Sequence, residues 1–103
     1  MHLTQFNKEA YDLTYSSSED YRQHYRDMIY YFPMWQYIIS KLSKDDKILD
    51  LGCGPGHLAH MLYDNGFKTF IGIDFSKIAI EMAKNKVPSY NIIEADLRQI
   101  DFS

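Results

Sequence analysis

Three glycines fall within five positions, Gly52-Cys53-Gly54-Pro55-Gly56, directly after the apolar run Ile48-Leu49-Asp50-Leu51. Glycine adopts positive φ and lets a ligand approach the backbone with no Cβ in the way. Between a strand and a helix, such a loop suits a nucleotide-like ligand held by main-chain groups at the helix N-terminus. Two acids continue the pattern. Asp74 lies twenty positions after Gly54, where a carboxylate can accept from both ribose hydroxyls. Charge-assisted hydrogen bonds of that kind contribute roughly 1.5–3 kcal/mol. Phe75 follows it with a ring face for adenine. Asp96 can accept from an exocyclic amine, and the Leu97 backbone N–H can donate to a ring nitrogen. Each feature also has a plainer use: a tight turn, a helix cap at Asp74, core packing for Phe75 and a loop cap at Asp96.

The same residues narrow the ligand. A phosphate loop needs G-x-x-x-x-G-K-[ST], and no such Lys-Ser pair follows. A dinucleotide fingerprint, G-x-G-x-x-G, needs a third glycine where this chain has His57. That glycine permits close helix–strand packing by the pyrophosphate, so an imidazole there argues against one. His57 and His60 are three apart on a helix, yet no third ligand shares their spacing, so no metal is expected. The aromatic stretch YRQHYRDMIYYFPMWQY could stack bases. However, residues 1–47 carry six Lys/Arg against seven Asp/Glu, so there is no basic footprint for nucleic acid. That stretch reads instead as a helical cover for the sheet.

The elements that must position these groups follow from hydrophobic period. A helix is expected from about Glu19 to Tyr31, with Ser17 or Ser18 as its cap. Pro33 breaks it or opens a new helix at its first turn. Met28, Phe32, Trp35, Ile38, Ile39 and Leu42 then recur at helical spacing with one buried face. From Lys47 the period changes: a strand over 47–51, a helix over 56–65 stopped by Gly66, and a strand over 69–74. Next come a helix capped by Ser76, with Ile78, Ala79, Met82 and Ala83 on one face, and a strand over 91–95. Lys84-Asn85-Lys86 reads as a solvated helix end. Strand–helix–strand–helix–strand predicts a parallel sheet with right-handed crossovers, in the order 3-2-1. The chain is thus expected to divide into an N-terminal helical segment, 1–46, and a partial Rossmann-like cofactor-binding domain, 47–103.

The totals agree with that reading. The chain has 103 residues, 46% of them hydrophobic and 24% charged, with a net charge of −3. This composition is ordinary for a soluble domain and gives no bulk attraction to nucleic acid or anionic membrane. One cysteine, Cys53, allows no internal disulfide and points to a reducing, cytoplasmic setting. The N-terminus has no apolar signal region, and no apolar run nears the ~20 residues that span a bilayer.

Taken together, ILDLGCGPGHLA at 48–59, IGIDFSKIAIEMAK at 71–84 and IIEADLRQIDF at 92–102 resemble the class I S-adenosylmethionine-dependent methyltransferases. The resemblance implies a Rossmann-like three-layer α/β fold and transfer of a methyl group from the cofactor sulfonium to an acceptor, leaving S-adenosylhomocysteine. It places Gly52, Cys53, Gly54 and Gly56 around the methionine end of the cofactor, Cys53 through its backbone. It implies that Asp74 binds the ribose, that Asp96 binds the adenine amine, and that Asp50 supports the loop or the cofactor's amino group. Ala95 stands where many members have glycine. Members of that family have about seven strands, so this chain corresponds to their N-terminal half, and no catalytic base is assigned. The first strand would then lack a partner on one side; two chains are expected to pair through that edge or exchange segments, the alternative being that the N-terminal helices fold over it. Tyr11 and Tyr15 could reach the site from the N-terminal segment. The other readings are an NAD(P)-binding oxidoreductase domain and a non-catalytic interaction module that keeps the fold.

Overall fold

The computed structural model describes residues 22–99. Its sheet has three parallel strands, β1 (Lys47–Leu51), β2 (Thr69–Asp74) and β3 (Asn91–Glu94), in the spatial order β1-β2-β3. This is the expected 3-2-1 arrangement. Leu49 lies opposite Ile71, and Ile73 lies opposite Ile93. Helix α1 (Phe32–Ser40) precedes the sheet, α2 (His57–Asp64) connects β1 to β2, and α3 (Lys77–Lys86) connects β2 to β3.

Local chemistry accounts for the helix boundaries. Pro33 sits in the first turn of α1, where its missing N–H leaves nothing unpaired. Gly56 caps α2 in the left-handed conformation, and Gly66, at φ 87°, turns the chain away after it. The Ser76 hydroxyl accepts from the Ala79 N–H at 3.2 Å and so starts α3.

Side chains alternate across a strand, so the sheet has two distinct faces. One face carries Ile48, Phe70 and Ile92 and packs on Ala59, Leu62, Ile80, Ala83 and Val87 from the two crossover helices and the turn after α3. Tyr90 stacks on Phe70 at 4.9 Å, and its hydroxyl donates to the Phe67 carbonyl. The buried stripe of α3 is Ala79, Ile80 and Ala83, with Ile78 and Met82 only at its margins. The stripe is therefore rotated by about one residue from the spacing-based expectation. The other face presents Leu49 and Leu51, each 49% exposed, with Ile71 and Ile93 beside them. Among the described residues the helices thus supply one covering layer of the three-layer fold.

Two expectations for the N-terminal part change. From residue 22 onward the helix over 19–31 is absent. A 3₁₀ turn, Tyr25–Asp27, stands there, flanked by extended His24 and non-helical Met28. His24 Nδ1 accepts from the Arg26 N–H at 3.2 Å, a local bond that competes with helix propagation. Tyr25 is buried against His60 and Phe32, so tertiary packing overrides helical propensity. Helix α1 has no fully buried residue. Ile39 packs on the core together with Leu42 just beyond the helix, while Trp35 and Ile38 face a cavity. Ser17, Ser18, Tyr11 and Tyr15 lie outside the described residues.

Candidate functional site

The glycine loop lies at the carboxyl end of β1 and is fastened on three sides. Gly52 and Cys53 both donate their N–H groups to the Ile73 carbonyl, at 2.7 and 3.0 Å. The Gly54 N–H donates to Asp74 Oδ2 at 2.9 Å. Lys86 Nζ, arriving from the end of α3, donates to the Pro55 carbonyl at 2.7 Å. Gly52, Gly54 and Gly56 have φ of 82°, 58° and 90°, a region costly for other residues. Two of these glycines have different reasons to lack a side chain. A Cβ on Gly56 would lie 2.8 Å from Ala83, so this glycine allows α2 and α3 to close. A Cβ on Gly52 would meet nothing within 4 Å: it faces open space, where a ligand can reach the backbone.

Asp74 is 5% exposed, and both carboxylate oxygens are engaged. Oδ2 accepts from Gly54, and Oδ1 accepts from the Ser76 N–H at 2.9 Å. Asp74 therefore joins the loop after β1 to the cap of α3. The capping role expected of Asp74 is filled through Oδ1, and the carboxylate keeps lone pairs beyond these two hydrogen bonds. Phe75 is half-buried beside it. Asp96 lies past the end of β3, where Arg98 holds it through Nη2 at 3.1 Å, Nε at 3.4 Å and the backbone N–H at 3.0 Å. The Arg98 hydrogen bonds keep its carboxyl below the usual range. Leu97 begins a short 3₁₀ turn at the same edge.

Asp50 is the acid without such support. It is half-buried on β1, and neither ion pair found among the described residues involves it. Burial, and then the negative charge of Asp74, push its carboxyl above the ordinary range. Asp50 and Gly52 line a cavity of about 410 Å³ whose other wall includes Met28, Tyr31, Trp35 and Ile38. Tyr31 stacks on Trp35 at 5.6 Å, and Trp35 stacks on His57 at 6.0 Å and 7°. His57 is buried and shares a 3.0 Å hydrogen bond through Nε2 with the Gln23 carbonyl. A half-buried acid beside apolar and aromatic walls favours a cationic ligand with apolar parts and disfavours a phosphate.

Cys53 contributes its backbone. Burial, then Asp74 and Asp50, push its thiol up to about 12, so it is no nucleophile at neutral pH. Lys86 departs from the solvated helix end expected for 84–86. It is half-buried on the glycine loop, and burial pulls its ammonium down to about 8. Spacing gave no hint of it, because the contact spans thirty-one positions.

Residues 42–103 match the family described as methyltransferase domain. The chain is 37% identical over 65 residues to the trans-aconitate 2-methyltransferase of Enterobacter sp. (strain 638), covering 60% of this chain and 26% of that one. Among solved structures it is similar to a TehB-like SAM-dependent methyltransferase from Corynebacterium glutamicum. That match has 30% identity and a TM-score of 0.60, covering 67% of this chain and 37% of that one. It is also similar to the Pyrococcus abyssi tRNA (uracil-54, C5)-methyltransferase, which was solved with S-adenosyl-L-homocysteine. There the identity is 25% and the TM-score 0.60, covering 69% of this chain and 19% of that one. Against curated relatives such as these, the chain spans between 9% and 31% of their length.

Proposed function

Because this chain belongs to the methyltransferase domain family, we propose that it binds S-adenosylmethionine across the carboxyl ends of β1 to β3 and serves methyl transfer to an acceptor. The observation that carries this reading is the pairing of a half-buried, unpaired Asp50 with the open backbone of Gly52 on one cavity wall. A sulfonium cofactor with an α-ammonium group brings the positive charge that such a wall lacks. A dinucleotide would bring two negative phosphates to the same place.

When bound, the cofactor supplies an electrophilic methyl group on sulfur. The chain's own residues bind and orient it. The backbones of Gly52, Cys53, Gly54 and Gly56 hold the methionine end, and Asp50 faces its ammonium. Asp74 takes the ribose hydroxyls with the lone pairs left by Gly54 and Ser76. Phe75 covers one adenine face, Asp96 accepts from the adenine amine in exchange for part of its Arg98 contact, and the Leu97 N–H donates to the ring. Holding the methyl donor in one orientation is proximity catalysis, and the fastened loop serves it. The similar proteins are named for a small carboxylic acid and for a tRNA base, so similarity selects no acceptor class.

Calorimetric titration with S-adenosylmethionine and S-adenosylhomocysteine, with NAD as control, tests the reading. Binding of the first two at about micromolar Kd and none of NAD is expected. Binding of NAD, or no binding of either adenosyl compound by the folded chain, removes it.

We further propose that two copies of the chain associate through the outer edge of β1. Among the described residues no strand pairs with that edge. Its backbone donors and acceptors, with Leu49 and Leu51 exposed beside them, support the reading.

A further inference from the structure

Spacing alone gave His57 and His60 no third ligand and so no metal site, but the fold brings two other ligands, His24 and Asp64, to His60. On α2, His60 and Asp64 lie one turn apart on the same side, with His60 Nε2 at 3.6 Å from Asp64 Oδ2. His24, from the segment before the 3₁₀ turn, meets them with its ring 5.2 Å from the His60 ring. One ligand atom from each of the three residues lies within 4.8 Å of the other two. All three are at least partly exposed, so an ion can reach them.

We propose that His24, His60 and Asp64 form a zinc-type divalent metal site that staples the N-terminal segment to α2. The donor set is two imidazoles and one carboxylate. That suits zinc, or a neighbouring first-row ion, with a fourth position left to water. It does not suit calcium or magnesium, which prefer oxygen ligands. A buried phenol supports the carboxylate: Tyr25 donates its hydroxyl to Asp64 Oδ2 at 2.6 Å and lays its ring edge-on to His60 at 5.1 Å. Outer-shell hydrogen bonds of this kind orient metal ligands.

Binding has one local consequence. His24 Nδ1 now accepts from the Arg26 N–H. Coordination through Nδ1 displaces that bond, and coordination through Nε2 moves the ring proton to Nδ1, which ends it as well. The exposed Arg26 N–H then turns to water. Losing that bond counts against part of the gain from coordination. The ion does no methyl-transfer chemistry. It fixes the turn that leads into Met28 and Tyr31, one wall of the cavity above Gly52. The proposal stands independently of the cofactor reading.

Zinc titration by calorimetry, with cobalt(II) as the spectroscopic probe, tests it on the whole chain. One zinc per chain is expected, with visible cobalt bands of four-coordinate intensity. Affinity should fall about tenfold or more in both His24→Ala and Asp64→Asn, each confirmed folded by circular dichroism. His24 is exposed, so His24→Ala keeps the test decisive if Asp64→Asn does not fold. No zinc uptake by the native chain, or uptake unchanged in His24→Ala, overturns the proposal.

Discussion

Asp50 and Asp74 stand on neighbouring strands, and only Asp74 has backbone donors to share its charge. Asp50 is left with a carboxyl raised by burial and by its neighbour. A raised acid means that the folded chain holds a proton the unfolded chain has already released. Stability therefore falls as pH climbs from the ordinary aspartate value of ~3.9 through the raised one, and the ionised form at neutral pH is the costlier one. Asp50→Asn should accordingly raise the thermal midpoint at pH 7 while weakening S-adenosylmethionine binding about tenfold. A lower midpoint with unchanged binding would show that the acid serves the fold and not the ligand. The glycines separate in the same way. Gly56→Ala combines a left-handed backbone with a Cβ at 2.8 Å from Ala83 and should destabilise by about 3 kcal/mol. Gly52→Ala meets open space and should cost about 1 kcal/mol in urea unfolding, yet lose cofactor binding. Equal stability losses in the two variants would contradict this division. The sequence marks all three glycines alike, because spacing says nothing about which one faces a helix and which one faces solvent.

At the scale of elements, short-range rules carried furthest where the chain's own chemistry sets a boundary. Gly66, Ser76 and Pro33 each end or start a helix where their types predict it. They failed over 22–31, where a buried Tyr25 and a ring-to-backbone bond at His24 decide the conformation. They also failed at Lys86, whose role depends on α3 ending beside the loop after β1. That contact has a pH signature. Lys86 titrates near 8 in the folded chain, against an ordinary value near 10.5. Between those values the unfolded chain binds more protons, so stability rises with pH. Cys53 opposes this: its thiol is pushed up to about 12 from 9.0, so above pH 9 the folded chain holds the extra proton and stability falls. The difference between native and Lys86→Met chains isolates the lysine. Urea unfolding across pH 7.5 to ~10 should show the native chain gaining stability relative to Lys86→Met. Parallel profiles would mean that the ammonium is solvated in solution.

For the whole molecule, strand order was legible because strand–helix–strand–helix–strand with short crossovers leaves few parallel arrangements, and both crossover helices pack on one face of the sheet. What covers the opposite face was not legible, since its apolar residues report a need for burial and not the identity of the partner. That face and the β1 edge meet at Leu49 and Leu51, each half-exposed. If two β1 strands pair antiparallel about their centre, Leu49 sits opposite Leu49, and the two sheets join into one of six strands. The symmetric pair satisfies both edges at once, as a closed two-fold contact must. Leu49→Lys places like charges directly opposite each other at that axis and gives the edge a charge that resists pairing. Leu49 points away from the helices, so the substitution leaves the packed face intact. Light scattering at high concentration should find twice the mass of one chain for the native protein and the mass of a single chain for Leu49→Lys, with equal circular dichroism. A native chain that stays single throughout refutes edge pairing. A Leu49→Lys chain that still doubles moves the contact away from the centre of β1.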